Sequence, residues 1–312
     1  MTDTTTINRQ KHISFHFGTT LCIVIAILII AFGNEMRSGI YEGLVFSFTT
    51  ILPTLFPFFI LSDIWSAVFK VKTDGLLART FEGCFSIAGC GISAFISGLI
   101  CGFPIGVKIA VRLYENGKIS RNELQRLCGF VNNPSVAFVI SGVGVGILGS
   151  LRVGALLYIS LIISSLAIGI IFRDKKEISH KTHDNIGQSI NIAGSIISAG
   201  TSSLTIVSCI AAFSGVMSVI SSLIRNDLIL SLIYPFLEVS NASKMIGEAI
   251  RIPYDIRLSL IAFSLGFSGM SVHLQAFSFL PKELSKLKYL FMKMLQGILA
   301  SLLVYILAKI IQ

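Results

Sequence analysis

The chain has 312 residues, of which 53% are hydrophobic and only 13% charged, and its mean hydropathy is +0.81. Soluble domains usually carry charge on about a quarter of their residues, so this composition excludes a water-soluble protein. The net charge of +9 comes from basic residues in short segments between apolar runs. Such residues set the orientation of membrane segments, and we expect no nucleic-acid binding.

Several long stretches contain no Asp, Glu, Lys or Arg. They are residues 13–33, 43–62, 83–107, 127–151, 153–172, 185–224 and 258–281. A helix needs about 20 apolar residues to cross a hydrocarbon core about 30 Å thick. The sequence therefore predicts an all-α polytopic membrane protein with about seven to nine membrane segments in two halves.

Residues 1–42 are predicted to hold an N-terminal tail and a first transmembrane helix over about 15–33. Arg9 and Lys11 precede this apolar stretch, which is too long for a typical signal peptide. We therefore expect an uncleaved helix, an N-terminus in the cytoplasm and a location in the cell membrane.

The predicted first half, residues 43–172, contains a run that a single crossing does not explain. Basic residues flank 83–107 on both sides, which predicts a broken or re-entrant segment that enters and leaves on one side. The candidate gate residues of this segment are Gly98, Gly102, Pro104, Gly106 and Lys108. Glycines at this spacing also favour close helix packing, and Lys108 could simply extend to the membrane surface.

A basic cytoplasmic linker is predicted over 173–186, and the second half with its C-terminal helix over 187–312. There the run 258–281 again has basic flanks, so Gly266 and Gly269 are candidate gate residues. Gly-Phe occurs in both broken runs, followed by Pro104 in one and Ser268 in the other. The similarity suggests an internal repeat, with chance as the alternative.

Polar side chains inside apolar runs are the candidate substrate-binding residues: Asn132, Asn133, Glu238, Asn241, His273 and Gln275. A carboxylate at the centre of a membrane helix costs about 2.5–3.5 kcal/mol on insertion scales and is usually functional. Each residue also has a structural interpretation. The two asparagines could hydrogen-bond between helices, Glu238 could lie near an interface, and His273 could bond a neighbouring carbonyl rather than relay protons.

Motifs typical of enzymes are absent from the sequence. Gly144, Gly146 and Gly149 match a dinucleotide-binding pattern, but no predicted strand precedes them and no acidic residue follows at the required distance. No nucleophile–base set and no zinc-ligand pattern is present either. We expect no enzymatic activity, no bound metal and no cofactor.

Six motifs occur in an order that resembles a known family. They are Leu-Phe-Pro-Phe at 55–58, Gly-Phe-Pro-Ile-Gly-Val-Lys at 102–108, Leu-Tyr-Glu-Asn-Gly-Lys-Ile-Ser at 113–120, Phe-Val-Asn-Asn-Pro at 130–134, Leu-Glu-Val-Ser-Asn at 237–241 and Gly-Phe-Ser-Gly-Met-Ser-Val-His-Leu-Gln at 266–275. Over about residues 45–300 the chain resembles the YlbJ-type sporulation integral membrane proteins of the nucleoside-recognition (Gate) domain group. The sequence differs from that pattern at Phe103, Val131, Pro134, Ser135 and Ser240.

The resemblance implies a bacterial membrane protein connected with sporulation and related to nucleoside transporters. The leading hypothesis is a transporter or permease for a small polar solute, nucleoside-like for example, with Glu238 binding a coupling cation, a proton or a solute hydroxyl. The alternative is a non-transporting scaffold that acts through sporulation membrane partners or as a homo-oligomer. On either hypothesis the lipid bilayer is the main partner.

Overall fold

In the computed structural model the described residues are 29–68, 75–174 and 192–311, with Thr20, Ile23, Ala26 and Ile27. All regular structure in these ranges is helical, which confirms the predicted all-α class. Most of the predicted first helix and most of the predicted linker 173–186 lie outside the described residues.

Short helices dominate the first half. In chain order they are α1 (Gly33–Phe46), a π-helical turn (Ser47–Ile51), α2 (Leu52–Val68), α3 (Leu76–Phe85), α4 (Gly91–Cys101), α5 (Ile105–Glu115), α6 (Arg121–Val131), a π helix (Ala137–Ile147) and α7 (Leu151–Ile171).

The second half combines long and broken helices. They are α8 (Ile192–Leu223), α9 (Asp227–Ile233), a 3₁₀ turn (Tyr234–Phe236), α10 (Val239–Glu248), α11 (Tyr254–Phe267), α12 (Gly269–Phe279) and α13 (Lys286–Ile311).

Four helical stretches within the described residues are long and apolar enough to cross a membrane: Leu151–Ile171, Ile192–Leu223, Tyr254–Phe279 and Lys286–Lys309. A fifth results if the pair Gly33–Ile51 and Leu55–Leu61, bent by 60°, is one span. The predicted count of seven to nine segments is not confirmed. The reason is that apolar elements such as α4 have 11 residues, about 16 Å of helix, which is too short to cross alone.

Both runs with basic flanks contain a helix break. That either run enters and leaves on one side stays a prediction, and Tyr254–Phe279 as a whole is long enough to cross a membrane. In the first, α4 ends at Gly102, whose φ is +80°, and α5 starts at Ile105. In the second, α11 ends at Ser268 (φ +83°), and α12 starts at Gly269 (φ +69°). A left-handed conformation ends the helical hydrogen-bond ladder, and glycine tolerates it best.

Two further interruptions complete the architecture. Residues 132–135 separate α6 from the π helix, and residues 237–238 separate the 3₁₀ turn from α10. Pro134 lies in the first of these interruptions, and Glu238 lies in the second. Each half therefore contains two helix interruptions.

Two apolar cores hold these elements together. One surrounds α7, α11 and α13 and includes Leu157, Ile261 and Val304. The other surrounds α3–α6, where the rings of Phe85 and Phe130 stack with centroids 5.2 Å apart. The long helices also present large apolar side chains outward, among them Ile163, Ile197 and Leu302, as expected of surfaces that contact lipid.

Candidate functional site

A cavity lies where the four interruptions meet. Its lining includes Gly102 and Ser135 from the first half and Glu238, Ser271 and Gln275 from the second. The space open to the centres of water-sized particles is about 30 Å³. Because one water needs about 10–15 Å³ by this measure, the cavity can hold about two or three waters in this conformation.

Within each half the two interruptions contact each other. A Cβ atom on Gly102 would lie 2.8 Å from the backbone nitrogen of Ser135. In the second half, a Cβ atom on Gly269 would lie 3.1 Å from the carbonyl oxygen of Leu237. That oxygen accepts a hydrogen bond from the backbone N–H of Ser271 at 3.1 Å. In each half the backbone of one interruption therefore packs closely against the other at a glycine.

Glu238 provides the carboxylate beside the cavity. It is only 3% exposed, and it forms the N-cap of α10. The backbone N–H groups of Ser240 and Asn241 donate to its two carboxylate oxygens at 2.9 and 2.7 Å. Such bonds satisfy the first amides of a helix and place negative charge at its positive end. The carboxylate is thus held in place where it borders the cavity.

The other candidate binding residues do not all reach this cavity. Gln275 lines it and donates from Nε2 to the sulfur of Cys209 at 3.4 Å. Asn241 instead contacts α8, where its Nδ2 donates to Ser214 Oγ at 2.7 Å and to the carbonyl oxygen of Ile210 at 3.4 Å. It therefore connects α10 to α8.

Asn132, Asn133 and His273 lie in a separate, fully buried polar network. Asn132 Nδ2 donates to the hydroxyl of Tyr289 at 2.6 Å, and the same hydroxyl lies 3.3 Å from His273 Nδ1. Asn133 Nδ2 donates to Ser165 Oγ at 3.2 Å. The structure thus brings together two of the six predicted residues at the cavity and three in this network.

Lys293 and Gln296, which the sequence reasoning missed, complete the network. Lys293 Nζ donates to the carbonyl oxygen of Asn132 and to Gln296 Oε1, each at 2.7 Å. Gln296 Nε2 donates to Asn133 Oδ1 at 2.7 Å. With Tyr289, these side chains follow a spacing of four and three residues, which places them on one face of α13. A lysine inside an apolar helix was the available signal.

The predicted gate residues divide by position. Gly102 and Gly269 lie at interruptions, and Pro104 lies between α4 and α5. Gly98 and Gly106 pack against the carbonyl oxygen of Val131, where a side chain would have no room.

Two gate candidates lie away from the cavity. Gly266 packs closely against Gly297 of α13, and the Lys108 ammonium lies 5.7 Å from the ring centre of Phe279. Gly98, Gly106 and Gly266 thus serve close helix packing.

A second buried carboxylate, Glu123, lies at the start of α6. It forms a capping box with Ser120, whose backbone N–H donates to Glu123 Oε2 at 2.6 Å. The backbone N–H of Ala88 donates to Oε1 at 2.8 Å. Nearby, the guanidinium of Arg126 donates to the carbonyl oxygens of Phe85 and Ser86. These charged side chains join α6 to the segment between α3 and α4.

Across the described ranges, no group of three or more His, Cys, Asp or Glu side chains is arranged to hold a metal ion.

Comparison with known proteins identifies a relative. The chain is 27% identical to the protein described as "Sporulation integral membrane protein YlbJ" of Bacillus subtilis (strain 168), over 315 aligned positions that cover 86% of this chain and 76% of the relative. The chain is therefore similar to a YlbJ-type protein, which supports the family predicted from the motifs.

The similarity to a sporulation integral membrane protein and the long apolar helices together indicate that the chain is a multi-pass membrane protein. No family model and no solved structure matches the chain.

Proposed function

We propose that this protein is a transporter or permease for a small polar solute. The observation that supports the proposal is the convergence of four helix interruptions from both halves on one cavity with a buried carboxylate. Irregular backbone inside a membrane is tolerated where it lines protein or a cavity, and paired broken helices commonly form transporter binding sites.

The cavity walls offer groups that could recognise a polar solute. Four helices begin beside it: α5, the π helix, α10 and α12. The positive end of a helix favours electron-rich groups, although the first amides of α10 already donate to Glu238. Glu238 and Gln275 add a carboxylate and an amide, which can bind a hydroxyl, an amino group or a coupling cation. Leu55 and Phe59 supply an apolar wall.

The size of the cavity sets a condition on the mechanism. Sites for small organic ligands are usually about 300–1,000 Å³, whereas this cavity has about 30 Å³ for water-sized particles. A nucleoside-sized solute therefore requires the interruptions to separate. A bare cation or water would fit without that motion.

The test combines binding and uptake. Purified protein is heated in detergent with nucleosides, nucleobases, amino acids or small cations, and a ligand of the folded state raises the unfolding temperature. Uptake of any stabilising solute is then measured in proteoliposomes. We expect Glu238→Gln to abolish both the temperature shift and uptake, because the amide keeps the volume and loses the charge.

Glu123→Gln is the matched control. It changes a second buried, helix-capping carboxylate that is absent from the cavity lining, so we expect uptake per folded molecule to be retained. Normal uptake in Glu238→Gln would remove Glu238 from the mechanism. Absence of uptake for every solute class by well-folded wild-type protein would contradict the transport proposal.

The second candidate function is a non-transporting scaffold that serves sporulation through membrane partners or as a homo-oligomer. It is favoured by the pairing within the protein of both Glu238 oxygens and most polar atoms of the Lys293 network. Under this hypothesis Glu238→Gln lowers the yield of folded protein, and neither the variant nor the wild-type protein transports a solute.

Orientation and location form part of the same proposal. We place the protein in the cell membrane with a cytoplasmic N-terminus, since Arg9 and Lys11 precede the first apolar run. A protease-accessible tag at the N-terminus, cleaved in inverted vesicles and protected in intact cells, would support this orientation. The reverse pattern would exclude it.

A further inference from the structure

The Lys293 side chain is completely buried within α13, which is apolar and long enough to cross a membrane. Its ammonium donates to two oxygen atoms and, within the described part of the chain, forms no ion pair with a carboxylate. An unpaired ammonium in such surroundings is costly unless oxygen atoms replace its water shell. The oxygen atoms that contact the ammonium therefore decide whether its burial is tolerated.

The oxygen atoms come from groups that suit a monovalent cation. The carbonyl of Asn132 follows Val131, the last residue of α6, and so is free of the helical ladder. Free carbonyls at a helix C-terminus favour positive charge. Gln296 Oε1 is the second oxygen atom that accepts from the ammonium, and the buried Asn132 Oδ1, on the same residue as the first, has no hydrogen-bond donor. Carbonyl oxygens of this kind replace hydration water around K⁺ in ion channels.

The network also connects the two halves of the chain. Asn132 and Asn133 belong to the interruption after α6, whereas Lys293 and Gln296 belong to the last helix. Gln296 is itself fixed by its bond to Asn133 Oδ1. Removal of the ammonium would leave two carbonyl-type oxygens buried without their donor, and buried acceptors without partners destabilise a fold.

We propose that Asn132 and Gln296 form a monovalent-cation site whose resident ion is the ammonium of Lys293. The ammonium is covalently attached to α13 and connects that helix to the interruption at residues 132–135. A bound metal ion or a free ammonium ion could make the same connection. The site therefore accepts a primary alkylammonium once the lysine side chain is shortened. The inference does not depend on transport, because it concerns how the two halves are held together.

The experiment uses chemical rescue of stability in the full-length, detergent-purified protein. Lys293→Ala removes three methylene groups and the ammonium, which together correspond to n-propylammonium. We expect the variant to lose about 10 °C in unfolding temperature and to regain at least about half of that loss in a saturable manner with n-propylammonium. Tetramethylammonium, which carries charge but no N–H donor, should give no recovery.

Lys293→Met is the matched control, because methionine fills most of the space without supplying a charge. We expect Lys293→Met to be destabilised as well and to show no response to n-propylammonium. If Lys293→Ala yields no protein without ligand, yield with and without n-propylammonium during purification replaces the temperature comparison.

Three results would overturn the proposal. One is a Lys293→Met protein as stable as wild type, because the ammonium would then be dispensable. Another is equal stabilisation of the Ala and Met variants by n-propylammonium, which would indicate a nonspecific effect. The third is a Lys293→Ala protein that n-propylammonium neither stabilises nor restores to measurable yield.

Discussion

Glu123 and Glu238 are chemically similar and lie in different surroundings. Both are buried carboxylates, and both accept backbone N–H groups beside the start of a helix. Glu123 joins α6 to the backbone of Ala88 in a packed region. Glu238 borders a cavity at the junction of four helix interruptions.

The comparison shows that burial and helix capping do not by themselves mark a functional carboxylate. Both properties are shared, and each is sufficient to stabilise the chain locally. What distinguishes Glu238 is an adjacent cavity whose lining includes residues at helix interruptions of both halves, such as Gly102 and Ser135. If only Glu238 interacts with a solute, substitutions near Glu238 should change solute binding as well as stability. Substitutions near Glu123 should change stability alone.

The largest expected effect on stability is that of Glu123→Ala. It leaves the backbone N–H groups of Ala88 and Ser120 without their acceptor, which we expect to cost about 3 kcal/mol in the free energy of unfolding. Glu238→Ala should cost about 1 kcal/mol, because water in the adjoining cavity can accept the freed bonds. Denaturation in mixed detergent micelles measures both values. Equal losses would remove the proposed difference between the regions.

An intermediate effect is expected from glycines near each carboxylate. Gly117, close to Glu123 along the chain, has φ +68° and open space around its Cβ position, so Gly117→Ala should cost about 1 kcal/mol. Gly102, in the cavity wall, has φ +80° and ψ −172° and faces backbone at 2.8 Å. We expect Gly102→Ala to cost about 2 kcal/mol.

Thermal unfolding of the two glycine variants checks this difference, and ligand binding sharpens it. Gly102→Ala should also weaken any solute found in the binding screen, whereas Gly117→Ala should leave its affinity unchanged. A Gly102→Ala protein with wild-type stability would show that the cavity wall accommodates the added methyl group without a loss in the free energy of unfolding.

The smallest expected effect is a difference between the labelling rates of two cysteines, and it is expected without any change in the stability of the protein. Cys209 lines the cavity, whereas Cys128 is fully buried in α6. In variants that retain one of these cysteines, we expect a small water-soluble thiol reagent to label Cys209 slowly, as the cavity opens, and to leave Cys128 unlabelled. Bound solute should slow the labelling of Cys209. Identical rates would contradict a cavity that opens to water.

Local signals allowed much of this architecture to be predicted from the sequence. Basic residues on both sides of 83–107 and 258–281 predicted broken helices, and Gly102 and Gly269 lie at the breaks. Glu238 was identified because a charge in an apolar run is visible without knowledge of neighbours. Membrane class and family were predicted from the same kind of local information.

Long-range neighbours could not be predicted in this way. Asn132 and His273 were grouped with Glu238 because all three are polar, yet Asn132 and His273 lie against Tyr289. Lys293 received no role, since its oxygen partners include a carbonyl from a residue 161 positions away. Interruptions also shorten helices below the membrane thickness, so a count of apolar runs does not give the number of long helices, and the predicted seven to nine segments are not confirmed.

The contact of Gly98 and Gly106 with the Val131 carbonyl has a mechanical consequence. It fixes α4, α5 and α6 against one another with no space for a methyl group, so we expect these three helices to move as one rigid unit. In the second half the contact between Gly269 and the Leu237 carbonyl is looser, at 3.1 Å from a Cβ position. If the cavity opens for a solute, we therefore expect the second-half interruption to move relative to the rigid first-half unit.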